Sequence, residues 1–245
     1  MIHKEQFRIR TSECNANMKI QPKMVLDLFQ EVAARDCQRY NLDSPALIKS
    51  HNTGWILSGT AIEFKKHPSW PEKLDIETWT KSLSGFKIAR DYSVSNESGE
   101  NIINGTSIWA LLDLDSRRPV KVNDIASAFK VNTGVDALNV RPGRVKINMD
   151  THFDESEITV NTGDIDMNGH VCNIQYVGWL HNNTDKEYLE THELKSLNIA
   201  YVGESHLGDE LIYKSSIIDN KGSHIFILKE SGKEICKIIS IWTEV

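Results

Sequence analysis

The tripeptides Glu97-Ser98-Gly99 and Ser107-Ile108-Trp109 return later in the chain, in the same order and at the same separation, as Glu230-Ser231-Gly232 and Ser240-Ile241-Trp242. One such match would mean little. Two in register, inside segments with the same expected order of elements, point to a duplicated unit, so the chain must adopt a fold that can be built twice from one plan. In the first half, a strand-like stretch at residues 6–13 is followed by residues 21–40, where Pro22 suits a first helical turn and Val25, Leu28, Phe29 and Val32 fall on one face. Residues 55–64, 73–82, 87–96 and 101–113 then read as strands. They alternate or are rich in β-branched and aromatic residues, with Gly, Pro, Asn and Ser between them.

The second half repeats this order. A strand at 156–160 precedes a polar stretch, a helix is expected over 170–182, and strands over 194–202, 210–218, 224–230 and 234–245. The basic and Pro-containing stretch from Ser116 to Asp150 becomes the connector. The expected organisation is an N-terminal unit at residues 1–130, a linker at 131–150 and a C-terminal unit at 151–245. A helix wrapped by an antiparallel sheet, made twice, predicts an α+β double hotdog in which two tandem hotdog units share a long antiparallel sheet. Two unrelated halves in an α+β sandwich are the competing arrangement.

A chain of 245 residues with 40% hydrophobic content can bury a substantial core. Its opening residues lack an apolar signal-like region, and no stretch of roughly 18 residues is free of charge, so no membrane span and a cytoplasmic location are expected. Cys14, Cys37, Cys172 and Cys236 have no CxxC spacing, which signals neither a zinc site nor a disulfide framework. The formal charge of −6 argues against general nucleic-acid binding, so an acidic partner must meet a local basic patch.

The densest chemistry lies in Asp164–Asn173, DIDMNGHVCN, where an extended segment is expected to pass into a helix. Asp164, Asp166, Asn168 and His170 are spaced by two, so an extended backbone would turn them to one side as a single polar wall. The N-terminus of the helix that follows would offer backbone N–H groups to a carbonyl oxygen becoming an oxyanion, and Gly169 would allow close approach. The plain alternative is that Asp166 and Asn168 cap the helix and that His170 is a structural residue. The corresponding first-half stretch, SECNANMK, has Asn15 and Asn17 but no acid and His pair, so one active site per chain is expected.

Four motifs together resemble the plant and bacterial acyl-acyl-carrier-protein (acyl-ACP) thioesterases. They are DIDMNGHVCNIQYVGWL, HPSWPEKLDIETW from His67, SIWALLDLDSRRPVKV, and LNIAYVGESHLGDEL. The resemblance covers almost the whole chain and implies a double hotdog that hydrolyses fatty acyl-ACP to free fatty acid, without metal or redox cofactor. It implies a catalytic set of Asp166, Asn168, His170 and Glu204, with Asp166 the carboxylate at the carbonyl as nucleophile or as base for water. In that set Asn168 and His170 would orient the thioester and Glu204 would polarise water or hold His170, the base role staying open between Asp166 and Glu204. It also implies that the acyl chain lies in the N-terminal unit, near Val25, Leu28, Phe29 and Val32. Plain core packing is the alternative there, as it is for the six tryptophans, among which Trp55 is a candidate to line the chain.

Two departures stand out. The family's Cys after Glu204 is here Ser205, and an Asn usual in its helix is here Cys172, so a cysteine-based mechanism lacks its nucleophile. The absence of a plastid-type transit segment fits a bacterial member. Arg117, Arg118, Lys121, Arg141 and Arg144, with Lys146, are the candidate docking patch for the acidic carrier protein, against the alternative of a solvated surface. The chain is expected as monomer or homodimer. The rivals are an acyl-CoA thioesterase, a hotdog dehydratase and a non-catalytic acyl-thioester binding module.

Overall fold

The computed structural model describes residues 2–245, which divide into two compact units at Val140/Arg141. In the first unit, strands β1 (His3–Arg8), β2 (Thr53–Phe64), β3 (Lys73–Ser84), β4 (Lys87–Ser95) and β5 (Asn101–Asp113) form an antiparallel sheet in the order β1-β3-β4-β5-β2. A two-residue strand, β6 (Pro119–Val120), pairs with the end of β5. Helix α1 (Pro22–Gln38) begins on Pro22, as expected of a residue with fixed φ and no N–H, and buries Val25, Leu28, Phe29 and Val32. The Phe29 ring stacks on Tyr92 with centroids 4.4 Å apart. It also lies over Gly105, where a Cβ would come within 2.3 Å of the ring, so the register partner of Tyr92 must be glycine.

Beneath the same helix a charged pair is buried. Asp36 of α1 accepts from Arg90 of β4 at 2.8 Å, and Arg90 also donates to Thr78 at 3.2 Å and lies 5.5 Å from the Phe129 ring centroid. Such a pair fixes how helix and sheet register, because removing one partner leaves the other charge buried at a cost of about 3–5 kcal/mol. Two helices of this unit were missed from sequence, α2 (Ser44–His51), capped by the Asp43 side chain on Ala46 N, and α3 (Val122–Ile125), as was the short strand β6. Val122, Ala126 and Phe129 pack with Leu42, Leu47 and Leu111 in a core cluster. The connector expected from Ser116 onward is therefore partly core. Further along, Asn132 N donates to Thr80 O and Ala137 N to Asp91, each at 2.8 Å, which ties this stretch to β3 and β4.

The second unit repeats the plan. Strands β7 (Asp154–Thr159), β8 (His192–Tyr201), β9 (Glu210–Ile218), β10 (Lys221–Leu228) and β11 (Glu234–Glu244) run antiparallel in the order β7-β9-β10-β11-β8, element for element the order of the first sheet. Its helix α4 (Gln175–Asn182) is shorter and buries Tyr176, Val177, Gly178, Trp179 and Leu180. A further short helix, α5 (Lys186–Thr191), was also missed; Asp185 caps it on Tyr188 N.

The repeated Ser-Ile-Trp has one structural meaning in both units. Trp109 Nε1 donates to Ser107 Oγ and Trp242 Nε1 to Ser240 Oγ, each at 2.8 Å. The hydroxyl is then met from the neighbouring strand, by Tyr92 OH at 3.1 Å in one unit and by His224 Nε2 at 2.8 Å in the other. The duplicated α+β plan, a helix over an antiparallel sheet made twice, is the double hotdog expected from the sequence.

Candidate active site

After β7 the chain makes a 3₁₀ turn, Thr162–Asp164, which Asp164 closes by accepting from Asn161 N at 2.8 Å. Ile165 and Val171 then form an isolated antiparallel bridge, and the five residues between them make a tight loop. Asp166 N donates to His170 O at 2.8 Å, and Gly169 N to Asp166 O at 3.1 Å. Asp166 Oδ1 accepts from Asn168 N at 2.8 Å and His170 N at 3.3 Å, while Oδ2 has one longer contact, 3.3 Å from Asn168 Nδ2. Gly169 has φ +82°, in the left-handed region that such a turn requires.

This corrects the extended polar wall. The period-two spacing arises from a loop folded on one side chain, a substitute for ladder pairing available to Asp and Asn. The helix does not begin at His170 either. Its first residue is Gln175, and its N-cap, Ile174, makes no side-chain capping bond, so neither Asp166 nor Asn168 caps it. The backbone amides of Asp166, Asn168, Gly169, His170, Val171 and Cys172 are all engaged within the protein. These six amides are therefore committed to the loop and its neighbours.

Glu204 comes from the segment after β8. Val171 N donates to Ser205 O at 2.9 Å, which ties this segment to the loop. His170 Nε2 lies 3.7 Å from Glu204 Oε2, an ion-pair distance beyond direct hydrogen bonding, and both side chains are about one-third exposed. Ser205 faces the other way. It is buried, with Oγ 2.8 Å from Tyr176 OH, whose own pKa burial pushes well up. His206, which the sequence reading did not single out, packs edge-on against His170 with ring centroids 5.0 Å apart. A signal existed: positions 204 and 206 are two apart in a near-extended stretch and so share a side.

The first unit contains the same loop with other side chains. A 3₁₀ turn, Thr11–Glu13, leads to a Cys14/Ile20 bridge. Asn15 N donates to Lys19 O at 2.9 Å, and Asn15 Oδ1 accepts from Asn17 N at 3.0 Å and Lys19 N at 3.1 Å. Ile20 N donates to Pro68 O at 3.0 Å, as Val171 N does to Ser205 O. Asn15, Asn17, Lys19 and His67 thus take the places of Asp166, Asn168, His170 and Glu204. The copy keeps the backbone and lacks the carboxylate and His pair, as the sequence comparison of the halves anticipated.

The other expected residues lie elsewhere. Val25, Leu28, Phe29 and Val32 are core residues of the first unit. Trp55 is half-buried, donates to Leu42 O at 2.7 Å and stacks at 6.3 Å on Phe129. Arg117 and Arg118 form the exposed turn between β5 and β6: Arg117 has φ +57°, and Arg118 O accepts from Asp113 N at 3.0 Å. Lys121 is also in the first unit, whereas Arg141 and Arg144 belong to the second.

Comparison with known proteins fits this plan. Residues 1–128 match the acyl-ACP thioesterase N-terminal domain and residues 147–244 the acyl-ACP thioesterase C-terminal domain. A chloroplastic acyl-acyl-carrier-protein hydrolase of Cuphea viscosissima is 27% identical over 209 residues, covering 81% of this chain and 50% of that protein. The oleoyl-acyl carrier protein thioesterase 2 of Arabidopsis thaliana is 26% identical over 222 residues, covering 84% and 60%. The chain therefore spans about half the length of the curated relatives it matches. The crystal structure of an acyl-ACP thioesterase from Bacteroides thetaiotaomicron superposes with a TM-score of 0.89 at 23% identity, covering 99% of this chain and 98% of that one, and so shares its fold. With both family domains matched in order along its length, the chain belongs to the acyl-ACP thioesterase family.

Proposed function

We propose that the protein hydrolyses the thioester of a fatty acyl-ACP and releases the free fatty acid. The observation that carries this reading is the contrast between the twin loops. Both close on the same backbone hydrogen bonds, yet only the second brings a carboxylate, an imidazole and a neighbouring glutamate to that frame. These are the proton-accepting and hydrogen-bonding groups that thioester hydrolysis requires.

In the proposed reaction, Asp166 Oδ2 takes a proton from water as the water oxygen attacks the thioester carbon. Oδ1 stays engaged with the loop amides. Asn168 Nδ2 and His170 meet the charge that develops on the carbonyl oxygen, and collapse of the tetrahedral species expels the thiolate. His170, oriented by Glu204, delivers the proton that the thiolate needs and is reprotonated by the proton that Asp166 took from water. The carrier protein is the proposed thiol carrier, with Arg117, Arg118 and Lys121 of the first unit offered to its acidic surface.

The test is hydrolysis of a panel of acyl chains presented on both carrier protein and coenzyme A. Faster turnover on the carrier supports the proposal, and faster turnover on coenzyme A would make the protein an acyl-CoA thioesterase. Tight binding without thiol release would leave a binding module.

A further inference from the structure

We propose that His170, Glu204 and His206 form a binding site for a divalent transition-metal ion of the zinc type. One ligand atom from each of the three lies within 4.8 Å of the other two. Two imidazole nitrogens and a carboxylate oxygen are the donor types that zinc takes at about 2.0–2.2 Å, which puts donors around a tetrahedral ion roughly 3.3–3.5 Å apart. His170 Nε2 and Glu204 Oε2, at 3.7 Å, are nearly there. The His206 side chain is more than half exposed, and its ligand atom lies within 4.8 Å of the other two.

The frame is already fixed. Val171 N to Ser205 O joins the two segments at 2.9 Å, next to His170 on one side and between Glu204 and His206 on the other. His206 is tied down in turn, because its N–H donates to Asp209 Oδ2 at 2.8 Å and its carbonyl accepts from Asp209 N at 3.1 Å. The same carboxylate stands 3.9 Å from His206 Nδ1, an ion-pair distance. In the first-unit copy these places are held by Lys19, His67 and Ser69, which cannot supply the set, so a single site per chain is expected.

A bound ion would occupy the imidazole that the proposed hydrolysis uses to protonate the thiolate and the carboxylate that orients it, so zinc would oppose that reaction. The binding site itself stands on geometry and does not depend on the functional reading.

The test is calorimetric titration of the full chain with zinc chloride in chelator-free buffer, for the wild type, for His206→Asn and for His152→Asn, an exposed control. Circular dichroism confirms that each variant is folded. Loss of even an outer partner typically costs about 10–100-fold in metal affinity, so His206→Asn should weaken binding at least that much and His152→Asn should not. The proposal is overturned if no saturable site is found, or if His206→Asn leaves it intact. Zinc binding with this pattern in a protein that cleaves no acyl thioester would sink the functional reading alone.

Discussion

Replacing Asp166 by Asn separates the structural and chemical roles of one side chain, and the protein already contains the control. In the first-unit copy an Asn amide oxygen closes the same loop, accepting at 3.0 and 3.1 Å where Asp166 Oδ1 accepts at 2.8 and 3.3 Å. Asp166→Asn should therefore keep both backbone bonds. The remaining contact, Oδ2 with Asn168 Nδ2, is recovered if the Asn168 amide turns over, so the stability change should stay below about 1 kcal/mol. The proton acceptor is lost. General-base catalysis is typically worth about 10²–10⁴-fold, so acyl-ACP turnover should fall at least about a hundredfold, a barrier increase of about 2.7 kcal/mol.

Asp166→Ala removes the two loop bonds as well. At about 1 kcal/mol each, this should lower Tm by about 4–8 °C in addition to abolishing turnover. Single-turnover hydrolysis and a thermal melt on both variants decide the matter. Turnover of Asp166→Asn within about tenfold of wild type would refute the carboxylate mechanism and leave Asp166 as a loop-closing residue only.

Ser205→Ala should retain activity within about tenfold, because Ser205 Oγ is buried against Tyr176, and should cost about 1 kcal/mol of stability; an inactive variant with a trapped acyl ester on wild-type Ser205 would reverse this. Reversing both Arg117 and Arg118 to Glu should raise KM for acyl-ACP and spare a short pantetheine thioester, whereas equal loss on both would assign the pair to the β5–β6 turn. His224 is buried, and burial lowers its pKa to about 3, so between the unfolded value near 6.5 and that figure the unfolded chain binds the extra proton and stability falls as pH falls. Near pH 5 the loss should be about 2 kcal/mol, and His224→Phe should flatten the acid limb of a denaturation curve; an unchanged limb would assign acid sensitivity elsewhere.

Where period and turn chemistry agreed, the sequence was legible: the strands at 101–113 and 210–218 have the expected bounds, and α1 starts on Pro22. The polar loop was misread because Asp166, Asn168 and His170 alternate like a strand while the Asp carboxylate holds a turn, and a two-residue period is silent about which backbone produces it. Helix α2 was overlooked although Asp43 and Pro45 announce its start, since eight residues are too few for a face to show as periodicity. The placement of Glu204 beside His170 rested on resemblance alone, for no local rule joins residues so far apart in sequence. His206 went unnoticed because an isolated His before a Gly-Asp turn carries no pattern of its own.

The paired serines and tryptophans record a history that the twin loops alone would obscure. After a gene is doubled, selection on folding acts on both copies and selection on chemistry need act on only one. The shared Trp to Ser bond is present in each sheet at the same length, but its third partner differs, Tyr92 in the first unit and His224 in the second. That exchange swaps a phenol for an imidazole at the centre of a folding unit. At that one position the second half carries a group that acid can protonate only at the expense of the fold, whereas the first half, with Tyr92 there, has a phenol that takes up no proton in acid.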